Sequence, residues 1–215
     1  HLPKSEKPLS LVIKIGQYKN INLISDELYG KQFQFFAIPG MSSEIEGEII
    51  KKKINTKLYG NYSLSYKDIN FSIHKENFGK FDKNNSLSLR VSPHVYGAGL
   101  LEAIEETDIL NQDDEFDING DGISGKARIV KDKNGKDSVG RFGLRASTPN
   151  LETQSGVAFM HDMGLSNPIA KNPFGDCTKK QEECFKFTTG INKNQNTEVS
   201  KEILEKIVFY LSSLS

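Results

Sequence analysis

A chain of 215 residues with 28 basic and 28 acidic side chains carries no net charge. That length allows one large domain or two small ones with a real core, and ordinary charge with 36% apolar residues excludes a disordered chain. No apolar run approaches the length of a membrane span, and a zero charge total argues against a nucleic-acid binder, which needs a basic face to neutralise phosphates.

The chain starts at His1 rather than Met and shows no leader pattern, so a processed chain or a fragment is expected. Its first ninety residues read mostly as strands. Leu11, Ile13 and Ile15 alternate with Val12 and Lys14, and Ile69, Phe71 and Ile73 alternate with Asn70, Ser72 and His74. Leu87, Leu89 and Val91 repeat the pattern. A period of two turns one face inward and one outward, which puts His74 on the polar face. Residues 26–37 suit a short helix with a break at Tyr29-Gly30, and Lys51, Lys52 and Lys53 read as a solvated strand surface.

At Ser92-Pro93 the character changes. Gly97 and Gly99 flank a turn, and Leu100, Leu101, Ile104 and Leu110 suggest a helix with one apolar face. Residues 127–130 and 139–142 flank Lys133-Asn134-Gly135, a hairpin signal. Residues 153–163 read as a helix ended by Gly164, and residues 166–196 as loop. Residues 198–214 form an amphipathic helix, with Val199, Ile203, Ile207 and Leu211 on one face, joined by Leu204 and Val208. Asn196 or Thr197 is its expected cap, and Glu198 suits its positive end. The predicted class is α+β: a β-rich segment over 1–91, then helices, a hairpin and long irregular loops over 92–215.

Charge is unevenly placed. Residues 1–90 carry 14 basic and 9 acidic side chains, whereas nine carboxylates and no Lys or Arg lie between Arg90 and Lys126. Within that block, Asp117, Asn119 and Asp121 stand at alternate positions, and Gly122 lets the backbone turn so that the Ile123 carbonyl can follow. This is the spacing of the first half of a calcium loop, since calcium wants six to eight oxygens at short range. The second half departs from it, because Arg128 stands where a bidentate Glu belongs. Missing oxygens would have to come from elsewhere, with Asp113, Asp114 and Glu115 nearest. The other reading is a polar turn in a solvated acidic loop that binds nothing.

Cys177 and Cys184 are the two cysteines. A local disulfide in an oxidising compartment and a pair of free thiols both stay open, while a zinc site lacks ligands.

Three runs are not ordinary secondary-structure sequence: residues 92–104 (Ser-Pro-His-Val-Tyr-Gly-Ala-Gly-Leu-Leu-Glu-Ala-Ile), residues 121–126 with Gly140-Arg141-Phe142-Gly143, and Gln154 with residues 159–164 (Phe-Met-His-Asp-Met-Gly). In this order the chain resembles the bacterial di-haem oxidoreductase family of c-type cytochrome peroxidases, sometimes labelled thiol oxidoreductases. Tyr29-Gly30-Lys31-Gln32 and Glu46-Gly47 are similar to that family's N-terminal half. The resemblance implies a cytochrome c-like di-haem architecture, two haem c groups, a periplasmic location, a small redox protein or other electron donor as partner, and a small-molecule oxidant such as peroxide. One departure is plain: the family attaches haem through Cys-x-x-Cys-His, and this chain contains no such motif. The region is therefore expected to lie between two attachment sites. His1 is either the axial His of the first or an unremarkable terminus.

Peroxidase chemistry needs a proton mover, a group that stabilises the leaving oxygen, and a route for electrons. By the resemblance, Glu102 is the candidate proton mover, because it follows a glycine turn that can approach a cofactor closely. Arg141 and Arg90 are candidates to pair with haem propionates or polarise peroxide. Met163, Met160, His161 and His94 are candidate axial ligands, and Phe142 and Gln154 candidate pocket lining. Each has a plainer alternative as an exposed, packed or ion-paired side chain. A cation at Asp117, Asn119, Asp121 and Ile123 would be structural. Two rival functions follow: a calcium-stabilised secreted binding module with no redox activity, and a pure electron-transfer cytochrome.

Overall fold

The computed structural model describes residues 11–19, 22–57, 60, 62–191 and 193–214, and His1 lies outside them. The fold is α+β, with eight strands and four α-helices among the described residues. By its contacts the chain divides into two compact units, one of His1–Ser92 with Asp176–Phe187, the other of Pro93–Gly175 with Thr188–Ser215.

The first unit is built on strand β1, Leu11–Lys19. It pairs antiparallel with β2 (Asn22–Ile24), β3 (Gln32–Phe33) and β6 (Ser86–Val91). The alternation in its sequence is realised: Ile13 and Ile15 are fully buried and Leu11 nearly so. Tyr29, Phe33, Phe35 and Ile45 close the core around them. Tyr29 and Phe33 meet edge to face at 5.0 Å, and Phe33 meets Phe81 at 5.7 Å. Full burial of such a side chain stabilises by roughly 1.5–3 kcal/mol each. Strands β4 (Ile45–Lys57) and β5 (Ser63–Glu76) form a long two-stranded ribbon. Its outer half is solvated, with Lys51, Lys52 and Lys53 exposed and Lys53 directly opposite Lys67. A register shift beside Glu46 and Gly47 leaves no β4 residue directly opposite His74. His74 is exposed, 3.4 Å from Glu48.

The helix expected over residues 26–37 does not form. The Asp26 carboxylate accepts the Leu28 and Tyr29 amides, both at 2.8 Å, and Gly30 turns the chain back at φ 69°. An Asp side chain that satisfies nearby N–H groups competes with a helix for them. Gln34 then donates its amide to Glu44, 2.7 Å away, instead of to a helical carbonyl.

The second unit holds α1 (Ala98–Glu102), α2 (Glu106–Asn111), the hairpin β7–β8 (Ile129–Lys131 and Asp137–Val139), α3 (Leu151–Met163) and α4 (Lys201–Ser212). α3 starts at the Asn150 cap, which accepts the Thr153 amide, and ends at Gly164 in the left-handed conformation. α4 begins later than its sequence suggests, with Ser200 as cap. Glu198 is not at its N-terminus: the carboxylate accepts the Ser166 amide and hydroxyl and the Gly190 amide. Leu204 is the one buried residue of α4, while Ile203, expected inward, is about half exposed. Val139, Phe142, Pro149, Leu151, Val199 and Leu204 are the buried apolar side chains of this unit among those described. Polar knots supplement that thin core. Asn167, fully buried, donates to the Gly156 and Leu165 carbonyls and accepts the Ile169 and Ala170 amides.

Candidate functional site

The residues singled out by sequence fall into separate places. Glu102, Arg141, Phe142 and Gln154 come together in the second unit, where α1 ends, residues 141–148 turn, and α3 begins. Arg141 Nη1 donates to the carbonyls of Leu101 (3.0 Å), Glu102 (3.2 Å) and Ile104. The last carbonyls of a helix have no intrahelical donor, and a guanidinium at that end satisfies them and complements its partial negative charge. Glu102 Oε1 accepts the Leu151 amide at 2.8 Å, the first residue of α3, where an orphan N–H and a positive helix end favour a carboxylate. The Arg141 and Phe142 amides both reach the Thr148 carbonyl, at 2.9 and 3.0 Å, closing the turn. Thr148 Oγ1 donates to Gln154 Oε1 at 2.8 Å. Phe142 is buried beneath this network.

The glycines near Glu102 pack against the end of α4. A Cβ on Gly99 would collide with the Ser212 carbonyl at the end of α4, and the Gly97 amide donates to the Leu214 carbonyl at 2.9 Å. Glycine is required because two backbones touch.

The other candidates stand apart. Met163 sits exposed at the far end of α3. His161 Nδ1 lies 3.1 Å from the Val157 carbonyl, Met160 is half-buried and His94 exposed. Arg90 belongs to β6 of the first unit, where its Nε donates to Ser88 Oγ at 3.2 Å.

In the acidic loop the side chains of Asp114, Asp117, Asn119 and Asp121 each accept a backbone N–H, while Glu115 pairs with Lys126 at 2.6 Å. Asp117 accepts the Gly122 amide at 3.1 Å, Asn119 the Asp121 amide at 2.9 Å, and Asp121 the Ile123 amide at 2.8 Å. Asp114 accepts the Ile118 amide at 2.7 Å. Asp117, Gly120 and Gly122 all have positive φ, so the loop does turn sharply. Among the described residues no three His, Cys, Asp or Glu are gathered to hold a metal.

Two features escaped the sequence. Glu106 Oε1 accepts Ser138 Oγ at 2.5 Å and the Val139 amide at 3.1 Å, and the Ser138 bond leads in holding its carboxyl below the usual range. In the first unit, Glu44 is buried and accepts Gln181 Nε2 at 2.6 Å, and burial pushes its carboxyl up to about 7. No local pattern announces a contact between residues 137 apart. The cysteines are resolved: Cys177 and Cys184 form a disulfide.

These observations define an α+β protein whose second unit exposes apolar helix faces. Leu100 on α1, Leu110 on α2 and Phe209 on α4 all stand in solvent, as do Phe116 and Ile118 of the acidic loop. Residues 46–215 match the profile of the family described as "Di-haem oxidoreductase, putative peroxidase", and the chain belongs to that family. Tyr29-Gly30-Lys31-Gln32 lies outside the matched residues. No curated protein and no solved structure matches the chain.

The family implies haem, and the residues present fit it in part. No Cys-x-x-Cys-His occurs among the 215 residues, and the two cysteines are joined to each other, so nothing here tethers a porphyrin. The apolar faces of the second unit suit the flat apolar surface of a macrocycle. Thr153 Oγ1 and Ser155 Oγ on α3 are buried with no hydrogen-bond partner among the described residues. No helix among the described residues is long and apolar enough to cross a membrane.

Proposed function

We propose that this chain is the central region of a periplasmic di-haem c-type oxidoreductase that passes electrons to a small oxidant such as peroxide, with a small redox protein or similar donor supplying them. The observation that carries the reading is the second unit's combination of few buried apolar side chains with exposed apolar helix faces, inside the region that matches the family. An amphipathic helix normally hides its apolar face, so large apolar side chains left exposed on several helices suit a surface that something covers. The haems, attached through motifs outside these residues, would supply the iron at which electrons are exchanged.

The chain's own part is placement. Glu102 and Arg141 act as positioning residues rather than as proton mover and peroxide clamp: together they lock the end of α1 to the start of α3, so the exposed faces of both helices keep a fixed relation. Phe142 and Gln154 support the same turn. Met163, exposed at the other end of α3, is the proposed approach to a haem, and Arg90 the proposed partner of a propionate. A calcium ion at Asp117, Asn119, Asp121 and the Ile123 carbonyl is the proposed brace of the acidic loop. A carboxylate offers about four lone-pair sites, so accepting an amide does not exhaust it. The Cys177–Cys184 disulfide suits the periplasm, where disulfides persist.

The test is the longer gene product, expressed in a host that matures cytochromes c. A Soret band with two haems per chain, and peroxide turnover, is the expected result. No Soret band overturns the haem reading; two haems without turnover would leave a pure electron carrier.

A further inference from the structure

We propose that the Cys177–Cys184 disulfide is a site of reversible thiol exchange, whose state decides whether residues 176–187 stay seated on the strands of the first unit. These residues belong to that unit although their sequence neighbours on both sides belong to the other. Inside the unit they are held to the rest by non-covalent contacts. Asp176 Oδ2 accepts the Lys31 amide at 2.9 Å, and Thr178 Oγ1 donates to the Leu28 carbonyl at 2.8 Å. Lys180 pairs with Glu27 at the surface, where both are exposed, and such a pair adds little. The deepest contact is Gln181, fully buried, which donates Nε2 to the buried Glu44 carboxylate.

Gln181 stands at the top of a turn. Thr178 donates its amide to Gln181 Oε1 at 2.8 Å, the Gln181 amide donates to the Thr178 carbonyl at 3.0 Å, and the Cys184 amide donates to the Gln181 carbonyl at 3.0 Å. The disulfide joins the two sides of this turn across a separation of seven residues. A cross-link lowers the entropy the turn gains on opening. Without it, the turn keeps these three internal hydrogen bonds and its contacts to Glu27, Leu28, Lys31 and Glu44, but gains more freedom on opening. On this proposal the seating of Gln181 is what the cross-link secures.

The chemistry follows from exposure. Cys184 is buried and Cys177 half-buried, so a thiolate approaches Cys177 Sγ. The new bond forms to Cys177, the S–S bond breaks, and Cys184 leaves as a thiolate that takes a proton. The second thiol of a dithiol reductant then attacks the mixed disulfide and releases Cys177. The protein ends with two thiols and the reductant with its own disulfide. With the turn loosened, Glu44 loses the Gln181 donor and Asp176 is free to leave the Lys31 amide.

Two amides report this directly: Lys31, bonded to Asp176, and Gln34, bonded to Glu44 Oε2. Hydrogen exchange by NMR, on the oxidised protein and on the protein reduced with dithiothreitol under native conditions, tests the proposal. On reduction two thiols should titrate, and the Lys31 and Gln34 amides should exchange at least about tenfold faster. The Ile15 amide, bonded to the Lys31 carbonyl within the sheet, and the Ser166 amide, bonded to Glu198, should keep their protection. Reoxidation should restore the first pattern. The double variant C177S/C184S should reproduce the reduced state, and Gln181→Ala should speed Gln34 alone with the disulfide intact. Unchanged Lys31 and Gln34 exchange on reduction overturns the proposal. So does a disulfide that yields thiols only when the Ile15 amide also loses protection, since reduction would then require global unfolding.

Discussion

Glu44 shows how one residue ties a loop to a core. Burial raises its carboxyl to about 7, against the Gln181 and Gln34 hydrogen bonds that favour the anion, while Asp176 and Asp26 nearby add to the rise. In the unfolded chain the group returns to its ordinary value of 4.5. A folded pKa above the unfolded one means that the folded state binds the proton more tightly. Its contribution is fully present below about 4.5 and is lost as pH rises through about 7. The difference corresponds to about 3 kcal/mol at most. Urea midpoints measured from pH 5 to pH 8 should therefore fall for the native sequence and stay nearly flat for Glu44→Gln. A variant with the native slope would assign the pH dependence to a group other than Glu44. The sequence offered no hint of this residue. Glu102, Arg141, Phe142 and Gln154, by contrast, were each singled out in the sequence among other candidates, and the structure places these four near one another. Their roles were not legible, because their partners are backbone groups and side chains supplied by folding: Arg141 reaches carbonyls 37 to 40 positions away, and Glu102 an amide 49 away.

Among elements, periodicity succeeded where a segment answers to one face and failed where a side chain captured the backbone. β1 follows its period of two, whereas β6 forms as a strand with Leu87 and Val91 exposed and only Leu89 packed on the core, and α3 and α4 appear where a helical period was read. Residues 26–37 escaped because Asp26 takes the amides a helix would use, and the start of α4 moved because Glu198 is engaged by Ser166 and Gly190. The acidic loop is legible as a turn, since alternating Asp and Asn with two glycines dictates its φ values. Whether it binds a cation depends on oxygens its own spacing does not supply. If calcium braces it, binding to the folded form alone raises the melting temperature by mass action. Thermal unfolding in millimolar calcium against excess chelator should then differ by about 3 °C, and Asp121→Asn should remove most of that difference. Identical melting curves with calcium and chelator would leave the loop as a self-bonded polar turn.

For the whole molecule, the two units differ in how they are completed. The first has a continuous core from β1 to Phe35 and Ile45. The second holds its helices with caps, clamps and polar knots, while Leu100 and Phe209 stay largely exposed at 69% and 74%. Side chains so exposed contribute little to the fold that displays them, so replacing both with Ser should change the stability of this chain by no more than about 0.5 kcal/mol. The same pair of substitutions in the longer haem-bearing protein should lower the haem retained per chain, read from the Soret band against protein concentration, because there the apolar faces are needed. A large loss of stability in this chain would show that Leu100 and Phe209 are core residues after all. Unchanged stability with unchanged haem content would assign the exposed faces to a partner protein, and the donor's docking surface would then be sought on α1 and α4.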